Sequence, residues 1–286
     1  MKKIILITGA SSGIGKACAV EAARRNWLVY AGHRKDSDAE ILSKLHEGIR
    51  PVQLDVLNES QRKKIFELIK NKHGYLDCLF NNAGIANSGT IEFLALEKFR
   101  QQIEINFIGP VAMTQGFIPL IRKSSDPRIL FTGSAAGILA KPMMSSYSAS
   151  KFALESFVDT LRLELSPWKI KVSIFEPGKI KTEIYRKTKE ESDRDRSSIS
   201  QEELNLYSDL LEVARYNIEH ADEQSSDVSE VVEVFVHALE SNNPQTRYAV
   251  GGDAKMQSLI ANLPDRIRDW FIKAKINKIQ KSLKKS

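Results

Sequence analysis

Cysteine is nearly missing from this chain, with only Cys18 and Cys78 in 286 residues. Neither belongs to a CxxC pair or a metal-ligand spacing, so a disulfide framework and a zinc site are excluded and two buried free thiols are expected. The five histidines are scattered without ligand spacing, so no metal is expected. Long apolar runs are missing too. The opening MKKIILITG meets a glycine turn almost at once, too short for a signal peptide or a membrane span, and a cytoplasmic protein is expected. There is no internal repeat and no long low-complexity linker. What remains is an ordinary soluble composition, 42% apolar and 27% charged, long enough for one large α/β domain or two small ones.

Charge is balanced over most of the chain. The net +6 resides in residues 264–286, where eight basic residues meet only Asp265 and Asp269, leaving the rest neutral. A nucleic-acid-binding body is therefore not expected; the basic character belongs to the tail. Within that tail Ile267, Trp270, Phe271 and Ala274, then Ile272, Ile276, Ile279 and Leu283, recur at helical spacing among lysines. A basic amphipathic helix of this kind either lies on an anionic membrane or docks on the domain or a partner subunit.

Apolar, β-branched stretches alternate with helical patterns: IILI (4–7), LVYA (28–31), VQLDV (52–56), CLF (78–80), RILFT (128–132), VSIF (172–175) and RYAV (247–250). Strands without internal alternation, separated by amphipathic helices, predict a doubly wound parallel seven-stranded sheet with helices on both faces. The polar stretch RKTKEESDRDRSSIS (186–200) breaks the rhythm and reads as an exposed loop. Residues 1–263 are expected to form one domain with a helical substrate flap over 186–226, followed by the 264–286 helix.

The first strand runs into TGASSGIG (8–15) and then a helix. Gly9, Gly13 and Gly15 let the backbone turn sharply and approach a pyrophosphate, which would rest on the first amides of that helix. No Gly-Lys-Ser/Thr ending follows, which argues against a P-loop. At the tip of the second strand, AGHRK (31–35) carries no acid, and Arg34 stands just beyond. A basic residue there pairs with a 2′-phosphate, so NADP(H) is expected, with Ser12 as a helper and NAD(H) as the alternative. The plain alternative is that Arg34 and Lys35 merely begin a solvated helix.

Two tyrosine–lysine pairs share one spacing, YSASK (147–151) and YRKTK (185–189). The first opens an amphipathic helix; the second runs into the polar stretch. One turn of helix puts an ammonium beside a phenol, where it would bring the phenol's pKa toward neutrality. With TGASSGIG, NNAG (81–84), Asn106, Ser134, YSASK and PGKIKT (177–182) in this order, the chain resembles the short-chain dehydrogenase/reductase family of Rossmann-type oxidoreductases, over roughly residues 3–182. It is most similar to the retinol, hydroxysteroid and hydroxybutyrate dehydrogenase branch.

The resemblance implies Tyr147 as general acid/base, Lys151 as its electrostatic partner and ribose anchor, Ser134 as the hydroxyl that holds the substrate oxygen, and Asn106 as the main-chain anchor of a water relay. Pro110 supports the last point, because it has no amide to give the carbonyl of Asn106 in a continuous helix; an ordinary proline kink is the plain alternative. The resemblance also assigns Ser11 and Ile14 to the glycine turn, Asp55 and Val56 to the adenine, Asn82, Ala83 and Gly84 to the cofactor, and Pro177, Gly178, Ile180 and Thr182 to the nicotinamide carboxamide. Asn81 should brace the neighbouring backbone.

Ile138, Leu139, Met143, Met144, Ile184 and Tyr185, with Leu206 and Leu210, form an apolar candidate lining without an arginine cluster. A hydrophobic alcohol, ketone or aldehyde is the expected substrate, although several of these side chains could be core. The family's habit predicts a homodimer or homotetramer. A catalytically idle NADP(H)-binding sensor or scaffold is the alternative, and the four catalytic-type residues speak against it.

Overall fold

The computed structural model describes residues 2–182, 200–221, 223 and 225–284. Seven strands, β1 (Ile4–Ile7), β2 (Leu28–His33), β3 (Ile49–Gln53), β4 (Cys78–Asn81), β5 (Arg128–Thr132), β6 (Lys171–Pro177) and β7 (Arg247–Val250), form one sheet in the order 3-2-1-4-5-6-7. Every pairing is parallel. The chain returns to the sheet centre between β3 and β4, so β1 and β4 are neighbours around a topological switch point.

Helices α1 (Gly13–Arg24), α2 (Asp36–Leu45), α3 (Glu59–His73), α4 (Leu96–Ile103), α5 (Gly109–Ile121) and α6 (Ser145–Glu164) lie within the first five crossovers. Beyond β6 come α7 (Gln201–Glu219), α8 (Val228–Glu240), α9 (Gly252–Ala261) and α10 (Asp265–Leu283). The strands lack alternation because both faces are covered. Ile4 and Leu6 join Phe117, Leu154 and Val158 in one core, whereas Ile5 and Ile7 join Ala19, Val231 and Phe235 in the other. The exception is the edge strand β3, where Arg50 and Gln53 are exposed between Ile49 and Val52. It begins three residues before the predicted VQLDV stretch, because Leu54–Asp55 already bends away: Asp55 Oδ1 accepts from the amide of Leu57 at 2.9 Å.

The predicted continuous helix around Asn106 is also corrected. A π turn, Glu104–Ile108, separates α4 from α5, and Pro110 falls in the first turn of α5. The missing proline amide is thus met by a wider turn as well as a new helix start, the kind of local insertion that re-aims side chains.

At the sheet edge away from the site, Asp126 clamps three strands. It accepts from Lys3 Nζ at 2.9 Å, Arg128 Nη2 at 2.7 Å and Lys171 Nζ at 2.8 Å, and Arg128 is fully buried. Burial raises the Asp126 pKa, but the hydrogen bonds from Lys171, Arg128 and Lys3 outweigh it and hold the carboxyl well below the usual range. Its stabilisation is present above the ordinary aspartate pKa and fades as pH falls through the lowered one. Asp126→Asn should cost about 2 kcal/mol near neutral pH, and the gap from the parent should close in strong acid; urea titrations at several pH values measure it.

Candidate active site

The cleft lies at the carboxyl ends of the central strands. Gly9 (φ +64°) and Gly13 (φ +54°) occupy the left-handed region, which permits the sharp path from β1 into α1. A Cβ on Gly15 would stand 2.4 Å from the Gly9 carbonyl oxygen, so the turn packs closely against its own helix. Ser12 precedes α1 in extended conformation and its side chain does not cap the helix, leaving the first-turn amides open to an anion. Thr182 packs over this turn, its Cβ 3.4 Å from where a Cβ on Gly13 would lie. Arg34, beyond β2, is exposed and forms no ion pair among the described residues; the nearby Asp36 accepts from Gln53 Nε2 at 3.3 Å. An open helix N-terminus with a free cation at the next strand tip fits a dinucleotide.

Asn82 is held by its side chain at the centre of the cleft. Its Nδ2 donates to the carbonyls of Thr8 and Gly9, both at 3.1 Å, and its Oδ1 accepts from Thr132 Oγ1 at 3.0 Å. The side chain joins the ends of β1, β4 and β5, and the amide of this residue donates to Thr8 Oγ1 at 3.0 Å. Asn81, expected to brace the neighbouring backbone, instead donates from its side chain to the Thr114 hydroxyl of α5, Nδ2 to Oγ1 at 3.2 Å.

Ser134, Tyr147 and Lys151 converge beyond β5. Lys151 is buried and donates from Nζ to the Thr132 carbonyl at 2.8 Å, with Nζ 5.8 Å from the centre of the Tyr147 ring. Ser134 Oγ accepts from the Ala136 amide at 3.1 Å. Asn106, fully buried, uses its side chain differently from the main-chain relay expected of it. Its Oδ1 accepts from the Ile85 amide at 2.9 Å, and its Nδ2 donates to Ser150 Oγ at 3.1 Å. Ser150 Oγ in turn donates to the Tyr147 carbonyl at 2.7 Å, tying the π turn to the first turn of α6.

The electrostatics depart from the simple tyrosine–lysine expectation. Burial pushes the Tyr147 phenol up, and the nearby Ser134 hydroxyl acts against that rise. Lys151 is itself pulled down to about 8 by burial, with Glu155 one turn on raising it. The ammonium is directed at the Thr132 carbonyl rather than at the phenol.

Behind Lys151 stands a group that motif matching missed. Glu155 and Glu176 are buried and meet the same Arg247 Nε at 3.2 and 3.3 Å, while Asp159 accepts from Arg247 Nη2 at 2.7 Å. Burial and then the neighbouring Glu176 push Glu155 up to about 7. Its four-residue spacing from Lys151 was visible; the strand partners were not.

Other expected residues divide. Asp55 forms a turn and Val56 is core, packed where Gly109 leaves no room for a Cβ. Gly84 abuts Asn106 Oδ1, and Ala83 lies against Gly9. After β6, the Gly178 amide donates to the Val250 carbonyl at 2.9 Å and the Lys179 amide to Asp253 Oδ2 at 3.1 Å, which fixes the turn at Pro177. Ile180 is buried in the sheet core, so its side chain does not face the cleft. Leu139 is likewise buried, and Leu206 is exposed, which corrects the predicted lining; Ile138, Met143, Met144 and Leu210 are half-buried. Ile184, Tyr185 and Lys189 lie outside the described residues. Among the described residues no group of acids, histidines or cysteines could hold a metal, and no helix is long and apolar enough to cross a membrane.

The doubly wound sheet with a cleft at its switch point is the architecture of the dinucleotide-binding folds. Residues 3–193 match the short chain dehydrogenase family, and the chain belongs to that family, whose members act on alcohol and carbonyl groups with a nicotinamide cofactor. A mitochondrial D-beta-hydroxybutyrate dehydrogenase of Mus musculus is 33% identical over 270 residues, 86% of this chain and 76% of its own. A 3-ketodihydrosphingosine reductase of Bacteroides thetaiotaomicron is 37% identical over 180 residues, 63% of this chain and 65% of its own. Among solved structures, a short chain dehydrogenase from Burkholderia cenocepacia in complex with NADP superposes with a TM-score of 0.73 at 24% identity, covering 95% of this chain and 97% of that one.

Removing the Glu155 charge should lower the Lys151 pKa further below about 8, since that charge is what opposes desolvation. Glu155→Gln followed by NMR titration of the Lys151 side chain reads the shift; an unchanged lysine would mean the two groups do not communicate.

Proposed function

We propose that this chain is an NADP(H)-dependent oxidoreductase that interconverts a hydrophobic alcohol with its ketone or aldehyde. The supporting observation is the convergence of Ser134, Tyr147 and Lys151 beyond β5, beside the glycine turn. When bound, the cofactor would supply or accept the hydride at nicotinamide C4. Gly9, Ser11, Ser12, Gly13, Ile14 and Gly15 would hold the pyrophosphate and Arg34 the 2′-phosphate. The main chain at Asn82–Gly84 and the segment Pro177–Thr182 would orient the nicotinamide end.

In reduction, Tyr147 gives its phenolic proton to the substrate oxygen while the Ser134 hydroxyl donates to that same oxygen and stabilises its developing charge. In oxidation, Tyr147 takes the proton back. Lys151, when it turns from the Thr132 carbonyl toward ribose and phenol, stabilises the phenolate that reduction leaves behind. Asn106 keeps α6 in register through Ser150. In this reading residues 1–263 are one functional unit, 186–226 its substrate flap and 264–286 an appended helix, in a cytoplasmic enzyme with at most peripheral membrane contact. Exposed Ile108, Phe152 and Leu163 on the helices around Asn106 and Tyr147 support pairing of subunits as a homodimer or homotetramer.

The half-buried Ile138 and Met144 beside Ser134 support an apolar substrate, in line with the sphingoid name of one relative. A second reading has its own observation. Lys141 forms no ion pair among the described residues, and burial together with nearby Lys275 and Lys179 brings it down to about 8. A carboxylated substrate, such as the hydroxy acid named for another relative, would relieve that crowding.

Oxidation of NADPH against NADH over a panel of neutral hydrophobic and small carboxylated carbonyls tests both readings. NADPH and the hydrophobic ketones or aldehydes should win, and turnover confined to carboxylated substrates would favour the second. Arg34→Asp should cut the NADPH-to-NADH preference about 10- to 100-fold. Tyr147→Phe should lower kcat by about two to four orders of magnitude with cofactor binding kept, and retained turnover would contradict the assigned role.

A further inference from the structure

Helix α10 carries two apolar stripes, and the fold uses only one. Ile272, Ile276, Ile279 and Leu283 are half-buried, on a helix that packs against α7 and α9. On the opposite side Ile267, Trp270, Phe271 and Ala274 repeat at i, i+3, i+4 and i+7 and remain exposed. Trp270 is 62% exposed and Phe271 41%, their rings meeting edge to face at 4.9 Å. On α9, Met256 and Leu259 are exposed at 63% and 74%. Water-facing aromatics at this density need an occupant.

The charges indicate which one. Continuing the outer stripe along the helix brings Lys278 and Lys281 onto the same face, with Arg266 and Lys273 along its border. The two acids, Asp265 and Asp269, instead precede Ile272 and Ile276 by whole turns on the inner stripe, where Asp265 accepts from Arg268 Nη2 at 2.7 Å. The outward face is therefore apolar at its first two turns, cationic at its last and free of acid throughout. A second copy of this chain would bring the same positive charge to meet it. A membrane surface of anionic lipid offers acyl chains to the aromatics and phosphates to the lysines.

We propose that the outward face of α10 seats this protein on anionic lipid, with Trp270 and Phe271 as the inserted pair and Lys278 and Lys281 as the charge contacts. The inference goes beyond the catalytic reading and does not depend on it. Packing of α10 on α7, the helix that follows the 186–200 stretch, would bring the substrate side of the molecule to the lipid, where an apolar substrate is concentrated.

Co-sedimentation of the full chain with vesicles of phosphatidylglycerol and phosphatidylcholine in equal parts, against phosphatidylcholine alone, tests it. The chain should sediment with the anionic vesicles only, and high salt should release it. Trp270→Ser with Phe271→Ser should lower the bound fraction about tenfold while leaving the melting temperature and NADPH binding unchanged. Should that pair fail to fold, Lys278→Glu with Lys281→Glu must give the same loss. Undiminished sedimentation of the variants, or none by the parent chain, would overturn the proposal. So would light scattering in which the aromatic substitutions break a larger assembly into smaller ones, since the stripe would then be a subunit interface.

Discussion

The side-chain amide of Asn82 is the joint on which the cleft depends. It holds the carbonyls of Thr8 and Gly9 from below the glycine turn and receives the hydroxyl of Thr132 at the end of β5. Thr132 in turn gives its carbonyl to Lys151. A continuous path of hydrogen bonds thus links the turn that would carry pyrophosphate to the lysine beside Tyr147, across the switch between β1 and β4. It adds a side-chain tie to the backbone pairing of β1 with β4. Asn106 makes the second such joint, from the π turn through Ser150 to the carbonyl of Tyr147. Both asparagines fix the backbone around Ser134, Tyr147 and Lys151.

Much of this was legible in the sequence, for physical reasons. Central strands buried on both faces leave uninterrupted apolar runs, so RILFT and RYAV coincide with β5 and β7. The edge strand β3 has one solvent side, its pattern is diluted by Arg50 and Pro51, and its position was misjudged by three residues. Short-range signals also carried the glycine turn and the Tyr147–Lys151 spacing. What stayed hidden was long-range. Nothing near Glu155 in sequence announces that Glu176 and Arg247 will close around it. Nor does motif order reveal that the side chains of Ile180 and Leu139 turn into the core while Lys141 comes under the influence of Lys275.

The tail illustrates the same division. Its helical period and charge were plain, yet membrane and domain docking looked like rival uses of one apolar face. The structure shows two faces: an inner one half-buried on a helix packed against α7 and α9, and an outer one exposed. An enzyme whose substrate prefers lipid would gain from a body that rests on lipid, and Ser134, Tyr147 and Lys151 all lie before α7. Catalysis and surface contact are separable properties of the chain.

The central claim is that hydride and proton are delivered at one place, beside Ser134, Tyr147 and Lys151. Its most direct test is a single turnover with NADPH deuterated at nicotinamide C4 and a hydrophobic ketone as acceptor. The account predicts one deuterium on the carbinol carbon, with the hydroxyl proton drawn from solvent through Tyr147. A product without deuterium at that carbon, or no product from a fully NADPH-bound enzyme, would contradict it.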